Sequence, residues 1–239
     1  MESLKDIISD IRVFLYGGML TLPLTIAGTL LILGLFTANY AILFFLVGFL
    51  VFTPLVATIL QFALKSVFGG YTIFKSKTSD ICRLVIPYAT RTDQTSIEDA
   101  TSIVSPYMAM VSFFIGYIFT NALELYTRET PDLTMTVQST SASDISSKVT
   151  TRKSQAIIAM AAIIIFTLIV FFTRAYTGCE STLGMILTMV AFAFAGNGWY
   201  KALSSVGQDR LSDLFGIANR LLPPEAITNG PIACVPIPA

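Results

Sequence analysis

The sequence predicts an all-α, polytopic integral membrane protein of about five transmembrane helices, ending in an amphipathic helix and an extended tail. Three observations predict it. The stretch from Val13 to Leu64 contains no Asp, Glu, Lys or Arg, which is room for two helical passes at roughly 20 apolar residues each. Hydrophobic residues make up 54% of the 239 and charged residues 13%, well short of the roughly 25% charged in a soluble domain. The apolar residues are gathered in long runs, and the mean hydropathy is +0.73. These runs divide the chain into an N-terminal segment and hairpin (1–64), a polar basic loop with a short surface helix (65–105), a third helix (106–126), a Ser/Thr-rich linker (127–153), a second hairpin (154–203), and an amphipathic helix with a Pro-rich tail (204–239).

Residues Met1 to Arg12 are polar, with Ile7, Ile8 and Ile11 at helical spacing, and read as a brief interfacial helix. Lys5 and Arg12 precede an apolar run longer than a signal-peptide core, so the first helix, Val13 to Phe36, reads as uncleaved. Gly17, Thr21, Thr25 and Thr29 recur every fourth residue and share one face. Small residues so placed read as a packing seam, with a hydroxyl-lined solute path as the alternative. Pro23 should bend this helix. Helix two, Ala41 to Leu64, carries a second expected kink at Pro54. Its Thr53 and Ala57 repeat the small-residue spacing, and Gln61 lies within reach of headgroup water.

The basic loop that follows contains Gly69-Gly70 as a turn, Tyr71 to Phe74 as an extended piece, and Thr95 with Glu98 at capping-box spacing. Ser105-Pro106 reads as the N-cap and first turn of helix three, which ends near Tyr126. Glu124 is a candidate ion site, but Arg128 at i+4 favours an interfacial charge pair. In the linker, Leu133, Met135 and Val137 alternate like a strand, and Ser139 to Thr151 read as flexible. Helix four, Ser154 to Thr173, is apolar all round and should face lipid or other helices, with Arg174 at its end. Helix five runs from Ser181 to Leu203. Ala191 and Ala195 are spaced for close packing, Asn197 suits an interhelical hydrogen bond, and Trp199-Tyr200 belong near the interface.

From Gln208 to Leu222, the apolar residues Leu211, Leu214, Phe215, Ala218, Leu221 and Leu222 follow helical spacing against a polar face. Pro223-Pro224 stop that helix, and the tail to Ala239 favours an extended docking arm. The residues placed at a partner contact are Leu211, Leu214, Phe215, Asn219, Pro223, Pro224 and Cys234.

Five passes put the termini on opposite sides. Lys5, Arg12, Lys65, Lys75, Lys77, Arg83, Arg91 and Arg174 then face Arg128, Lys148, Arg152, Lys153, Lys201, Arg210 and Arg220 across the membrane. The uncharged joint after helix one and the basic loop after helix two favour an inside N-terminus.

Several chemistries lose their usual residues. The chain has no histidine, which removes His-based acid–base catalysis, His-liganded zinc and bis-His haem. Cys82, Cys179 and Cys234 are odd in number and lack CxxC spacing. No nucleotide-binding glycine motif, HExxH or GxSxG occurs, and no acidic pair sits inside a membrane helix. No catalytic residue, metal or cofactor is therefore expected. Net charge is zero, so nucleic acid is not expected as a partner either.

The run Asp209-Arg210-Leu211-Ser212-Asp213-Leu214-Phe215-Gly216-Ile217-Ala218-Asn219, with Pro223-Pro224 and Cys234-Val235-Pro236 after it, resembles the tails of membrane proteins encoded by icosahedral large DNA viruses. The resemblance covers only the C-terminal end. It implies a multispanning structural protein of the virion internal membrane, in contact with minor capsid proteins beneath the outer shell. The expected function is thus to anchor a protein assembly to a bilayer through the linker and C-terminal segment. The alternative is a small-solute transporter or an accessory subunit of a membrane complex.

Overall fold

The computed structural model describes residues 17–19, 21–68, 103–127, 142–177, 181–207, 209–212 and 214, without the side chains of 68, 142–149, 177, 209 and 210. The expected interfacial helix at 1–12, the extended pieces at 71–74 and 133–137, the capping box at Thr95, all three cysteines and the tail lie outside these residues. The elements are α1 (Leu22–Phe36), α2 (Tyr40–Val47), a π turn (Gly48–Phe52), α3 (Thr53–Phe68), α4 (Pro106–Thr127), α5 (Ala142–Thr177), α6 (Thr182–Gly207) and α7 (Asp209–Ser212). Every element among the described residues is helical, and the protein is an all-α, polytopic membrane protein.

Four spans are long and apolar enough to cross a membrane: Tyr40–Val67, Pro106–Thr127, Thr150–Tyr176 and Thr182–Val206. The first expected helix is shorter, because α1 has 15 residues, about 22 Å at 1.5 Å per residue. Pro23 accounts for this. It occupies the first turn of α1, where its missing N–H costs nothing, so the expected bend falls at the start of α1. Helical bonds from Thr21 N–H to Gly17 C=O (3.2 Å) and from Thr25 N–H to Thr21 C=O (2.9 Å) carry the path back across that break. The Tyr107 hydroxyl donates to Met19 C=O at 2.7 Å, so the residues just before α1 lie beside the start of α4.

The joint between α1 and α2 closes as a Schellman turn. Asn39 N–H reaches Gly34 C=O (3.0 Å), and Ala38 N–H reaches Leu35 C=O (3.4 Å). This requires a left-handed residue, which Ala38 supplies at φ 49°. Asn39 then caps α2, its Oδ1 accepting from Ala41 N–H at 3.0 Å.

Pro54 leaves a different mark from the kink expected in helix two. It has no N–H for the carbonyl four residues back, and its ring crowds that carbonyl. The helix widens just ahead of it into the π turn, where the Thr53 backbone N–H and its hydroxyl (2.9 Å) both donate to Gly48 C=O.

α4 is the centre of the bundle. Of its most apolar stretch 67% is buried, against 11% for the span in α5. Its strongest packing partner is α6, followed by α5 and α3. The sequence placed α5 and α6 together as a hairpin, but consecutive as they are, each packs on α4 rather than extensively on the other. α4 and α6 meet through Gly116 and Gly196, where an added Cβ would clash with the Ala193 and Phe113 carbonyls respectively. α5 packs on another side of α4 and leaves its Ile157, Ile158, Ile164 and Ile165 exposed.

Two boundaries also move. α5 begins at Ala142, inside the stretch expected to be flexible, and continues to Thr177. No Gly or Pro interrupts residues 142–177, so helix propagates out of the membrane span at little cost. Arg152 and Arg174, counted among the loop charges by sequence, are therefore helical, and both are buried.

Candidate functional site

Hydrogen bonds between elements gather at the two ends of the bundle. At one end, here called proximal, residues 103–105 dip into the bundle and are almost fully buried. Val104 N–H donates to Gln61 Oε1 (2.7 Å), and Ser105 N–H to Thr188 Oγ1 (3.4 Å). Ser105 is also the expected N-cap of α4, its Oγ accepting from Met108 N–H at 3.1 Å. Gly184 permits this approach, since a Cβ there would fall 2.6 Å from the Ile103 carbonyl oxygen. The Arg174 guanidinium lies 4.3 Å from the centroid of the Tyr107 ring, a cation–π contact that occupies a cation otherwise costly to bury.

The other, distal end receives the C-terminal segment. After α6 the chain turns back, and α7 packs on α6 and α2. The Tyr117 hydroxyl, buried within α4, donates to Ser212 C=O at 3.0 Å. Asn39 Nδ2 makes a long contact of 3.5 Å with Leu214 C=O. The Leu214 side chain is 0% exposed and belongs to the core cluster that includes Phe45, Phe113, Tyr117 and Tyr200. Aromatic rings line this seat: Tyr117 meets Phe45 at 4.8 Å and Tyr200 at 5.3 Å, both edge to face. Trp199 stacks on Phe52 at 5.2 Å, and its Nε1–H donates to Phe44 C=O at 3.3 Å.

The residues singled out by sequence fall into three groups. Of the partner-contact set, Leu211 is half-buried and Leu214 is consumed by the chain's own core. Phe215, Asn219, Pro223, Pro224 and Cys234 lie outside the described residues. Of the packing set, Ala191 and Ala195 are half-buried against the core. Asn197 is half-buried, but its side chain makes no hydrogen bond among the described residues.

Gly17, Thr21, Thr25 and Thr29 are all exposed. They do not form the expected seam. The buried face of α1 is Pro23, Ala27, Leu30 and Gly34. Two residues along a helix is a rotation of about 200°, which sets Pro23 and Ala27 opposite the threonines. The hydroxyls of Thr21 and Thr25 bond carbonyls of their own helix, Gly17 at 3.1 Å and Leu22 at 2.9 Å. Glu124 is exposed in the last turns of α4.

Sequence reasoning missed Tyr117, Asn39 and Gln61 as joints between elements. Each was visible only as one polar group in an apolar run, the pattern that marks a buried hydrogen bond once a partner is known. Among the described residues no group of three His, Cys, Asp or Glu is placed to hold a metal.

No family model, curated protein or solved structure matches this chain.

Proposed function

We propose that this membrane protein is a structural anchor that holds a protein assembly to a bilayer through its C-terminal arm. The observation that carries the reading is the seating of Ser212 and Leu214 in the bundle. An anchor must pass load from partner to membrane, and a tail joined by a free linker passes little orientation. Here the chain enters the arm from a buried residue, tied to α4 by Tyr117 and to the first turn by Asn39. Leu214 lies where α2 begins, beside Asn39. The resemblance of the arm to viral internal-membrane proteins makes a capsid the leading assembly, with minor capsid proteins as partners and the virion membrane as location.

The seat also fixes where a test truncation should fall. A chain ending at Leu214 keeps every described contact of the bundle, whereas one ending at Gly207 removes part of its core. The 1–214 chain is expected to insert into membranes like the full chain and to lose co-purification with the assembly after gentle detergent extraction. Retention at full yield would refute the anchor. Saturable solute flux through reconstituted vesicles, abolished by Asn197→Ala, would favour the transport reading instead.

A further inference from the structure

A groove of about 270 Å³ lies between α4 and α5. Ala156, Ala159 and Ala162 of α5 form its floor, set against Ile118 of α4. The alanines make the space, because larger residues at this spacing would close α5 onto α4. Ala162 is exposed, so the groove opens on the outer surface of the bundle, where lipid lies. The lining is apolar almost throughout and offers no charge to an occupant, because the Arg152 guanidinium at its edge is buried and already engaged. What remains is a pair of neutral amides. Asn121 of α4 is 5% exposed, and Gln155 of α5 stands exposed at the rim. Neither side chain makes a hydrogen bond among the described residues. For Asn121 this is costly, since a buried amide without a partner has given up water for nothing. Asn121 lies six residues inside the end of the α4 span and Gln155 five inside the start of the α5 span. Both amides are thus about 8 Å below the helix ends, at one level.

We infer that this groove binds one sterol, with its hydroxyl at Asn121 and Gln155 and one face of its ring system on the alanine floor. Three features select that occupant. A hydroxyl both donates and accepts, as an amide does, so a single small neutral head supplies the partner that Asn121 lacks. A phosphate would need a free cation, and the two amides lie deeper than the headgroups. A peptide would bring a row of backbone N–H and C=O groups that two amides cannot satisfy beside lipid. The floor suits a rigid body. From Gln155 to Ile163 it runs about 12 Å along α5, the scale of a fused four-ring nucleus, and its alanines leave a flat strip. A rigid ring system settles there without losing internal freedom, whereas a flexible acyl chain would have to be ordered.

The test is photolabelling of the full chain in mixed micelles with a diazirine-bearing sterol, in competition with cholesterol or with dioleoylglycerol, which carries one free hydroxyl but no ring system. Cholesterol is expected to displace the probe at about tenfold lower concentration than dioleoylglycerol. Asn121→Leu, close in size, removes the amide without opening space. It should weaken competition by cholesterol about tenfold while leaving thermal stability equal or higher, because an unpaired buried amide is gone. Ala159→Phe fills the groove and should lower labelling about tenfold. Ala162→Phe, nearly one turn deeper, is an independent block should the first variant fail to fold. Ile164→Phe, on the exposed face of the same helix, should change nothing. Equal competition by the two lipids, or full labelling of both blocked variants, overturns the inference and leaves the groove to unselected lipid. A loss of stability in Asn121→Leu overturns it too, since the amide would then be paired within the protein.

Discussion

Replacing Gly116 by Ala is expected to cost about 2–3 kcal/mol of bundle stability, a large effect for one methyl group. The added Cβ would clash with the backbone of Ala193, and backbone cannot swing aside as a flexible side chain can. α4 and α6 would have to separate along their whole contact, losing dispersion contacts that water-free surroundings do not replace. Gly196→Ala should act similarly from the other side, through the Phe113 carbonyl. The two positions share one helix crossing, so the double variant should lose less than the sum. Gly28 and Gly198 are the controls. Nothing lies within 4 Å of a Cβ at either position, so alanine there should gain about 0.5–1 kcal/mol from helix propensity. Unfolding in mixed micelles separates the cases, and equal effects at all four glycines would contradict the packing described.

Leu214→Asp is expected to release the C-terminal segment from its seat. A carboxylate at a fully buried apolar position lacks partners and costs several kcal/mol. The cheaper response is local, with the segment leaving and Ser212 separating from Tyr117 while the transmembrane helices keep their packing. Limited proteolysis should then cut between Leu211 and Leu222 at rates well above those of the unsubstituted chain, with helix content nearly unchanged. Leu211→Asp, at a half-buried position, should have the smaller effect. Equal protection of the two variants would show that burial of Leu214 does not hold the segment.

Much of the fold was legible in the sequence because a bilayer imposes length and composition on anything that crosses it. The cap at Ser105, the all-apolar α5 and, within the charge-free run 13–64, the second pass each led to the right element, whereas the first pass came out shorter than a membrane span. What failed was inference from spacing to partner. Thr21, Thr25 and Thr29 and the pair Ala191 and Ala195 carry the same spacing, yet only the alanines are packed. Spacing says that a face exists, not what lies against it. The closest backbone contacts came from single glycines, Gly116 and Gly196, which no reading of spacing singled out. The seating of Ser212 and Leu214 was not legible for a related reason. The apolar spacing of that segment suited a helix lying on a surface, but the carbonyl of Ser212 and the side chain of Leu214 face an aromatic seat assembled from distant parts of the chain. Burial of Arg152 and Arg174 was hidden because both stand where an apolar run meets polar sequence, the ordinary position of a snorkelling interfacial cation.

The central claim is that the arm leaves the membrane bundle from a buried seat. Thiol labelling tests it most directly. In a chain with Cys82, Cys179 and Cys234 replaced by serine, Leu214→Cys and, separately, Val206→Cys are exposed to a membrane-impermeant maleimide. Leu214 is 0% and Val206 82% exposed, so the thiol at 214 should react more than about tenfold more slowly, a protection of over 1.4 kcal/mol if seating is at equilibrium. Reaction at 214 as fast as at 206 would mean that the segment is not seated, and the anchor would lose its fixed point.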